Sequence, residues 1–439
     1  MQIPRAPLFT MARDEEVTSE VLDKFIGLHQ QVVGRYEYLF DMYLNRPEIF
    51  DAPPKAGFKP DNRLAVGYPK YMVDTLSGYF NGIPVKKTHD SDDFLDAISR
   101  FDNNNDMEDE ESELFKMACI YGHSFEYLYQ DEYAETKVIY VSPKDMFIVY
   151  DDSIEQKPLF AVHYGQVDMK TTGILIELDK MRDFEVDKGG LTFTDEKINP
   201  FNKLPVIEFM LNDERQGLFE PVISLVNSYN KVMSEKANDV DYFADAYMKI
   251  LGAQLDEPSI ERIKDNRIIN LHGLDASKVI VEFMDKPDSD AQTEHLLDRI
   301  ERLIYATSMV ANISDENFGN SSGTALAYKL QAMSNLALSI QRKFQSSLNR
   351  RYDLFSSLRT NVPESMKDEW QNIEYKFTRN EPKNILEEAQ TAAQLMGITS
   401  DETALSVLSV VSNVQTELER KNKGLPNLMD FEMSEDDGQ

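Results

Sequence analysis

The chain has 439 residues, 41% apolar and 10% aromatic, with 77 Asp and Glu against 46 Lys and Arg and a formal charge of -31. That length exceeds what one hydrophobic core serves, so two to four structural units are expected, and the apolar content excludes a globally disordered chain. So large a negative charge repels phosphate polymers at long range and excludes a protein that wraps DNA tightly.

A helix is expected within residues 12–45, where Val21, Phe25, Leu28, Val32, Tyr36 and Phe40 recur at threes and fours before Pro47, Pro53 and Pro54 end the run. A second, 68–80, has Pro69 in its first turn and "NGIP" at its end, and a third, about 107–121, follows the acidic stretch "DNNNDMEDEESE". From about 124 to 210 the pattern changes to strands: "FEYLYQ", "KVIYVSP", "MFIVYD", "LFAVHYG", "LTFTD" and "LPVIEFM". From Pro221 a helix of about 30 residues is expected, with Val222, Leu225, Val226, Tyr229, Val232, Val240, Phe243 and Tyr247 on one stripe and Gly252 as its stop. A small module follows: a helical turn from Pro258 to Asp265, then two strands, "RIINLH" and "KVIVEFM", joined through Gly273. Beyond it come a helix from about Ala291 to Met309, the polar stretch "SDENFGNSSGTAL" (314–326), and a long helix with Leu326, Leu330, Met333, Ala337, Ile340, Phe344, Leu348, Tyr352 and Phe355 on one side. At roughly 1.5 Å per residue that helix is on the order of 50 Å long, a length suited to lining or bridging something. "IEYKFTR" is a strand candidate, three helical segments follow, and 424–439 is an acidic tail.

Cys119 has no second cysteine to pair with, and "MQIPRAPLFTMARDEE" lacks the apolar centre of a signal peptide. With no window near the roughly 18 apolar residues of a spanning helix, synthesis in a reducing cytosol and no membrane partner are expected. The chain lacks G-x-x-x-x-G-K-[ST], so it has no phosphate cradle of a P-loop motor, and its six histidines form no H-E-x-x-H. Cys119 and His123, one helical turn apart, supply only two metal ligands; a buried thiol and a satisfied histidine account for them as well. "GHSFE" at 122–126 lacks the second glycine of a nucleophile elbow. Asp102, Asn104, Asp106 and Glu113 fall at positions 1, 3, 5 and 12 of a calcium loop, but Met107 stands where its turn needs glycine, so an acidic loop capping a helix N-terminus is the simpler account. Along the long helix, Arg342, Lys343, Arg350, Arg351 and Arg359 form a basic run with one carboxylate, Asp353, suited to ion pairing with an acidic neighbouring subunit or domain, or to a polyanion.

Five blocks then resemble, in order, the portal (head-to-tail connector) proteins of tailed bacteriophages, specifically those of long-tailed phages of Gram-positive bacteria. They are "NRLAVGYPKYMVDTLSGYFNGIPV" (62–85), "ELFKMACIYGHSFEYLY" (113–129), "VSPKDMFIVYDDSIE" (141–155), the stretch 204–248, and "DAQTEHLLDRIERLIYATSMV" with "SDENFGNSSGTALAYKL" (290–330). The resemblance implies an α+β, predominantly helical portal fold, with residues 1–217 and about 360–385 as wing, 218–251 and 291–311 as paired stem helices, and 252–290 as clip. Residues 312–323 would be the tunnel loop, 324–385 the long helix and its return to the wing, and 386–439 the crown with its tail.

It further implies a non-enzymatic subunit, without cofactor, of a ring of about twelve copies closed by a head-to-tail interface. Such a ring sits in the virion at a capsid vertex, its subunits made in the host cytoplasm. Double-stranded DNA is packaged and ejected through it, and its partners are the terminase motor, a head-completion adaptor, and the major capsid and scaffold proteins. Asp315, Glu316, Asn317, Phe318 and Asn320 would face the channel, and Arg267, Lys278 and Glu282 would take part in docking at the clip. A loop sent into a shared channel needs glycine and asparagine for unusual backbone angles and polar side chains for water, and carboxylates beside phosphate weaken contacts that would hinder transit. A soluble helical adaptor is the alternative reading; it accounts for the periodicity and acidity but not for a strand-rich segment and a loop between paired helices. A nuclease or ATPase is disfavoured by the missing P-loop and by the lack of a recognisable metal carboxylate site.

Overall fold

The computed structural model describes residues 7–55, 60–167, 170–244, 248–251, 280–283, 290–313, 323–381, 385–408, 410–411 and 414–423. They divide into two compact units: 1–311 with 332–378, and 312–331 with 379–439.

The larger unit opens with a short strand, β1 (Phe9–Met11), and helix α1 (Ser19–Tyr43), whose Thr18 accepts the Val21 N–H at 3.3 Å. The helix therefore starts at its cap and not at residue 12, because the side-chain oxygen satisfies a first-turn donor there. Helix α2 (Tyr68–Asn81) matches its expected span. Next come strand β2 (Lys86–Thr88) and α3 (Asp92–Asn104), capped by Ser91; α3 buries Phe94, Ala97, Ile98 and Phe101. Its apolar face lies within a polar sequence, and its last turns overlie part of the suspected calcium loop. That loop does not form: 102–104 are helical, and Asp102 accepts bonds from Lys87 and Tyr352. The acidic residues instead enter the first turn of α4 (Met107–Tyr121) as Glu108, Asp109 and Glu110, favourable beside the positive helix end, while Asp106 at the cap makes no side-chain bond.

Strands β3 (His123–Gln130), β4 (Thr136–Val141), β5 (Met146–Asp151), β6 (Pro158–Val167), β7 (Lys170–Ile176), β8 (Lys180–Asp187), β9 (Gly190–Ile198) and β10 (Val206–Met210) form the expected strand-rich segment. Five of them join β1 in one sheet of order β1-β5-β6-β7-β8-β9, antiparallel except for the β1–β5 pair, and the other three make a second, β10-β3-β4. Phe125, Val141, Met146, Ile148, Ala161, Ile176, Leu204 and Val206 from both sheets form one buried cluster.

Three long helices complete the unit. α5 (Ile223–Ala244) is shorter than the expected 30 residues: the chain enters strand β11 (Met248–Leu251), which pairs antiparallel with β12 (Ile280–Phe283). The partner of "KVIVEFM" is thus 248–251, a run of Met, Lys, Ile and Leu that helical periodicity had absorbed; "RIINLH" lies outside the described residues. α6 (Asp290–Ser308) and α7 (Gly323–Ser356) follow, the first nine residues of α7 falling in the smaller unit. Strand β13 (Glu374–Lys376) pairs with β2. The smaller unit also holds α8 (Ile385–Leu395), α9 (Asp401–Ser406) and α10 (Val414–Lys423), where Glu402 accepts from Gln415 and Asp401 pairs with Lys421.

Gly122 closes α4 with φ +91°, and a Cβ there would lie 2.1 Å from the Arg215 carbonyl oxygen. Its own carbonyl accepts the Leu211 N–H at 2.9 Å, so helix, β3 and the 211–217 turn meet without room for a methyl group. Gly122→Ala should therefore lower the unfolding free energy by at least about 2 kcal/mol, read as a fall in denaturation midpoint.

Candidate functional site

The expected channel residues fall between α6 and α7, and the features that hold those two helices are the described residues closest to them in the chain. Asp315, Glu316, Asn317, Phe318 and Asn320 lie outside the described residues, as do Arg267 and Lys278; Glu282 occupies β12 opposite Lys249.

α5 is held by a ladder of polar side chains. The expected apolar stripe begins correctly, with Val222 and Val226 buried, but Val240 is 54% exposed. The buried positions further on are Asn230, Ser234 and Asn238. Their side chains accept the backbone N–H groups of Val66 (2.9 Å), Leu64 (2.9 Å) and Asn62 (2.6 Å). Four helical residues rise about 6 Å and two extended residues about 6.7 Å, so every fourth helix position meets every second residue of an extended segment. Lys55 with Glu235, and the Asn62 amide with Asp241, extend the contact outward. Sequence reasoning missed this ladder, although the spacing of Asn230, Ser234 and Asn238 was its signal.

α5 and α6 meet through aromatic rings. Tyr68 makes edge contacts with Tyr229 (5.2 Å) and Tyr305 (5.9 Å), and Tyr71 with Tyr305 (5.9 Å). Lys236 pairs with Glu294, and the Tyr71 hydroxyl donates to the Ala311 carbonyl at 3.3 Å, just past the end of α6. Leu297, Ile300 and Ile304 are buried, while Leu296 and Leu303 are left exposed on the same helix.

α7 is pinned at the other end. Phe344 packs edge-on against Phe80, Phe115 and Phe209, at 5.7, 6.0 and 5.0 Å. One turn past Leu348, Arg351 is fully buried: its Nε donates to Glu126 at 2.9 and 3.0 Å, one Nη to Glu126 at 2.5 Å, and the other to Glu111. Lys87 joins the group, 2.8 Å from Asp102 and 3.4 Å from Glu111, and the Tyr352 hydroxyl donates to Asp102. Burial raises the Glu111 carboxyl, but Lys87 and Arg351 outweigh it and hold the group below its usual range; burial pushes Glu126 up against the pull of Arg351. The basic run 342–359 is thus paired largely within the chain: Lys343 with Asp213, Arg350 with Asp353 and Arg359 with Glu364. Arg351 was legible as the one charge at helical spacing from Phe344, Leu348 and Phe355.

The near misses to metal and nucleophile motifs, Cys119, His123 and Ser124, have partners within the fold. His123 accepts from the Tyr36 hydroxyl at Nε2 (2.9 Å) and donates from Nδ1 to Glu208 (2.6 Å), so neither nitrogen is open to a metal. Glu208 also takes bonds from Arg215 and Tyr150; burial raises its carboxyl, yet His123 and Arg215 outweigh that and hold it well below the usual range. Cys119 is buried, and burial pushes its thiol up. Ser124 is buried and donates to the Leu114 carbonyl. Among the described residues no group of three His, Cys, Asp or Glu is placed to hold a metal ion, and no helix is long and apolar enough to cross a membrane.

Against known proteins, the family model "Phage portal protein, SPP1 Gp6-like" matches residues 22–423. A curated relative from Bacillus phage SPP1, "Portal protein", is 22% identical over 416 residues, covering 86% of this chain and 80% of that protein. A second "Portal protein", from Clostridium phage phiCD119, is 22% identical over 367 residues, covering 77% and 79%. Among solved structures, "Neck of native GTA particle computed with C12 symmetry" aligns at TM-score 0.49 and 13% identity over 84% of this chain and 92% of that one. "Virion of native gene transfer agent (GTA) particle" aligns at 0.48 and 12%, over 85% and 92%.

Removing Arg351 leaves buried carboxylates without their main partner, so Arg351→Met should cost about 3–5 kcal/mol in chemical denaturation, and adding Glu126→Gln should recover part of it. His29 provides a second test. Its Nε2–H donates to the Pro143 carbonyl (2.9 Å), so Nδ1 accepts from Tyr164 (2.7 Å) and the ring is neutral; burial, against that carbonyl bond, lowers its pKa from 6.5 to about 4. Between those values the unfolded chain binds a proton that the native ring refuses, so stability is lost as pH falls, by up to about 3 kcal/mol. His29→Gln should flatten that part of the stability–pH curve.

Proposed function

Because the chain belongs to the SPP1 Gp6-like family of phage portal proteins, we propose that it forms the ring at one capsid vertex through which double-stranded DNA enters during packaging and leaves on ejection. The single observation that carries this reading is the family match across residues 22–423. The geometry supports it: α5 and α6 lie paired in one unit, α6 leads into the 312–323 segment, and α7 returns from it to a rigid anchor at Arg351. Helices fastened at one end by buried ions and aromatic rings suit a wall that must not deform while a charged polymer moves past it.

In this reading the regions are those the sequence suggests. The wing is 1–217 with about 360–385, the stem is 218–251 with 291–311, the clip is 252–290, and the crown is 386–439. Twelve copies would close the ring, in the sense of about twelve head-to-tail contacts, and the exposed Leu296 and Leu303 supply apolar surface for them. Asp315, Glu316, Asn317, Phe318 and Asn320 would line the narrowest part of the channel. The clip, with Arg267, Lys278 and Glu282, would dock the packaging motor and then an adaptor, and the vertex would join the ring to capsid and scaffold proteins.

Native mass spectrometry with negative-stain imaging of the pure protein should give rings with a central hole; a persistent monomer or dimer sinks the reading. Deleting Asp315 to Ser321 should leave ring mass unchanged while DNA packaging or retention fails, because the loop is assigned to the channel and not to subunit contacts. Loss of assembly would contradict that division.

A further inference from the structure

Within the larger unit, residues of α7, β5, β6 and β10 line a groove of about 760 Å³. Its floor is apolar: Leu159 and Met210 are half-buried there, and Leu178 is exposed. Its walls carry five cations, Arg13, Lys157, Arg342, Lys343 and Arg350. The two carboxylates that also line it are engaged elsewhere. Glu208 is held by Arg215, His123 and Tyr150, and Asp151 accepts from the Ser153 hydroxyl and the Lys157 N–H.

Three of the five cations are held loosely, whereas Arg350 is paired with Asp353, whose side chain is 16% exposed. Lys157 pairs with Glu155 and Lys343 with Asp213, whose side chains are 61% and 79% exposed, and Arg342 has no ion pair among the described residues. Pairs that open to water contribute little and are easily exchanged for others. A chain with 31 excess negative charges has nonetheless gathered five positive ones over an apolar floor. Complementarity asks for an occupant with several carboxylates, several large apolar side chains and no cation.

The sequence contains such a segment. Residues 424–439, "GLPNLMDFEMSEDDGQ", hold Asp430, Glu432, Glu435, Asp436 and Asp437 beside Leu425, Leu428, Met429, Phe431 and Met433, without Lys or Arg. The other strongly acidic stretch, 102–113, is committed to α3 and α4. We propose that the groove is a docking site for residues 424–439 of a second copy of the chain. The proposal requires only that copies meet, and so stands apart from the conduit reading.

The test places the photocrosslinker p-benzoylphenylalanine at Ser346, an exposed position in the groove, in the full chain. Assemblies are formed from mixed light- and heavy-isotope chains, irradiated, digested and read by mass spectrometry. The expected product joins position 346 to a peptide from 424–439 in mixed-isotope pairs. Its yield should fall about tenfold with Arg342→Glu combined with Lys343→Glu, and fall at high salt. Arg342→Gln with Lys343→Gln should give an intermediate loss, which separates charge from misfolding. Crosslinks to any other segment, same-chain products alone, no crosslink, or a yield indifferent to these substitutions would overturn it.

Discussion

The structure depends on a guanidinium placed where no water reaches. Arg351, at 0% exposure, holds two buried glutamates from different elements, Glu111 on α4 and Glu126 on β3, and so fixes a 34-residue helix to the helical and strand-rich parts of its unit at one point. A buried ion group of this kind is weak evidence for stability, since apolar residues of similar volume could pack as well. Its use is geometric: a planar fork of donors fits one arrangement of carboxylates, whereas the phenylalanines around Phe344 would tolerate rotation or sliding. Lys87 and Asp102 extend the group to β2 and α3, so four elements and the long helix share one orientation.

The polar ladder along α5 solves a related problem by other means. An extended segment lying on a helix cannot use the helix backbone, whose donors and acceptors are consumed internally, so its own N–H groups must find side chains. Asn230, Ser234 and Asn238 supply them in register with Asn62, Leu64 and Val66. Both devices trade apolar burial for direction.

The excess of carboxylates has a consistent physical sense beside these anchors. Under the proposed conduit role, phosphate contacts from lysine and arginine would hold DNA in place, so a passage for DNA of any sequence works best when its cations are few or already neutralised. Between 343 and 359, Lys343, Arg350, Arg351 and Arg359 each have a carboxylate partner within the chain, those of Lys343 and Arg359 being open to water.

The sequence by itself determined the order and kind of the elements: the helix expected at 68–80, the strand-rich stretch from about 124 to 210, the long helix from 324, and, through five ordered blocks, the family. These are local properties, written in periodicity, in Pro69 at a helix start and in turn residues. Only the tertiary structure decided what each polar residue at an apolar spacing was for. Arg351 became a keystone because Glu111 and Glu126, more than two hundred residues away, arrive opposite it; Asp102 became the partner of Lys87 and not a calcium ligand because α3 runs through it. Likewise the chain beyond α5 is not helical at 248–251 because those residues found a strand partner at 280–283. Helical periodicity is set within a few residues, but burial of a charge and pairing of a strand depend on a distant partner, which no local pattern names.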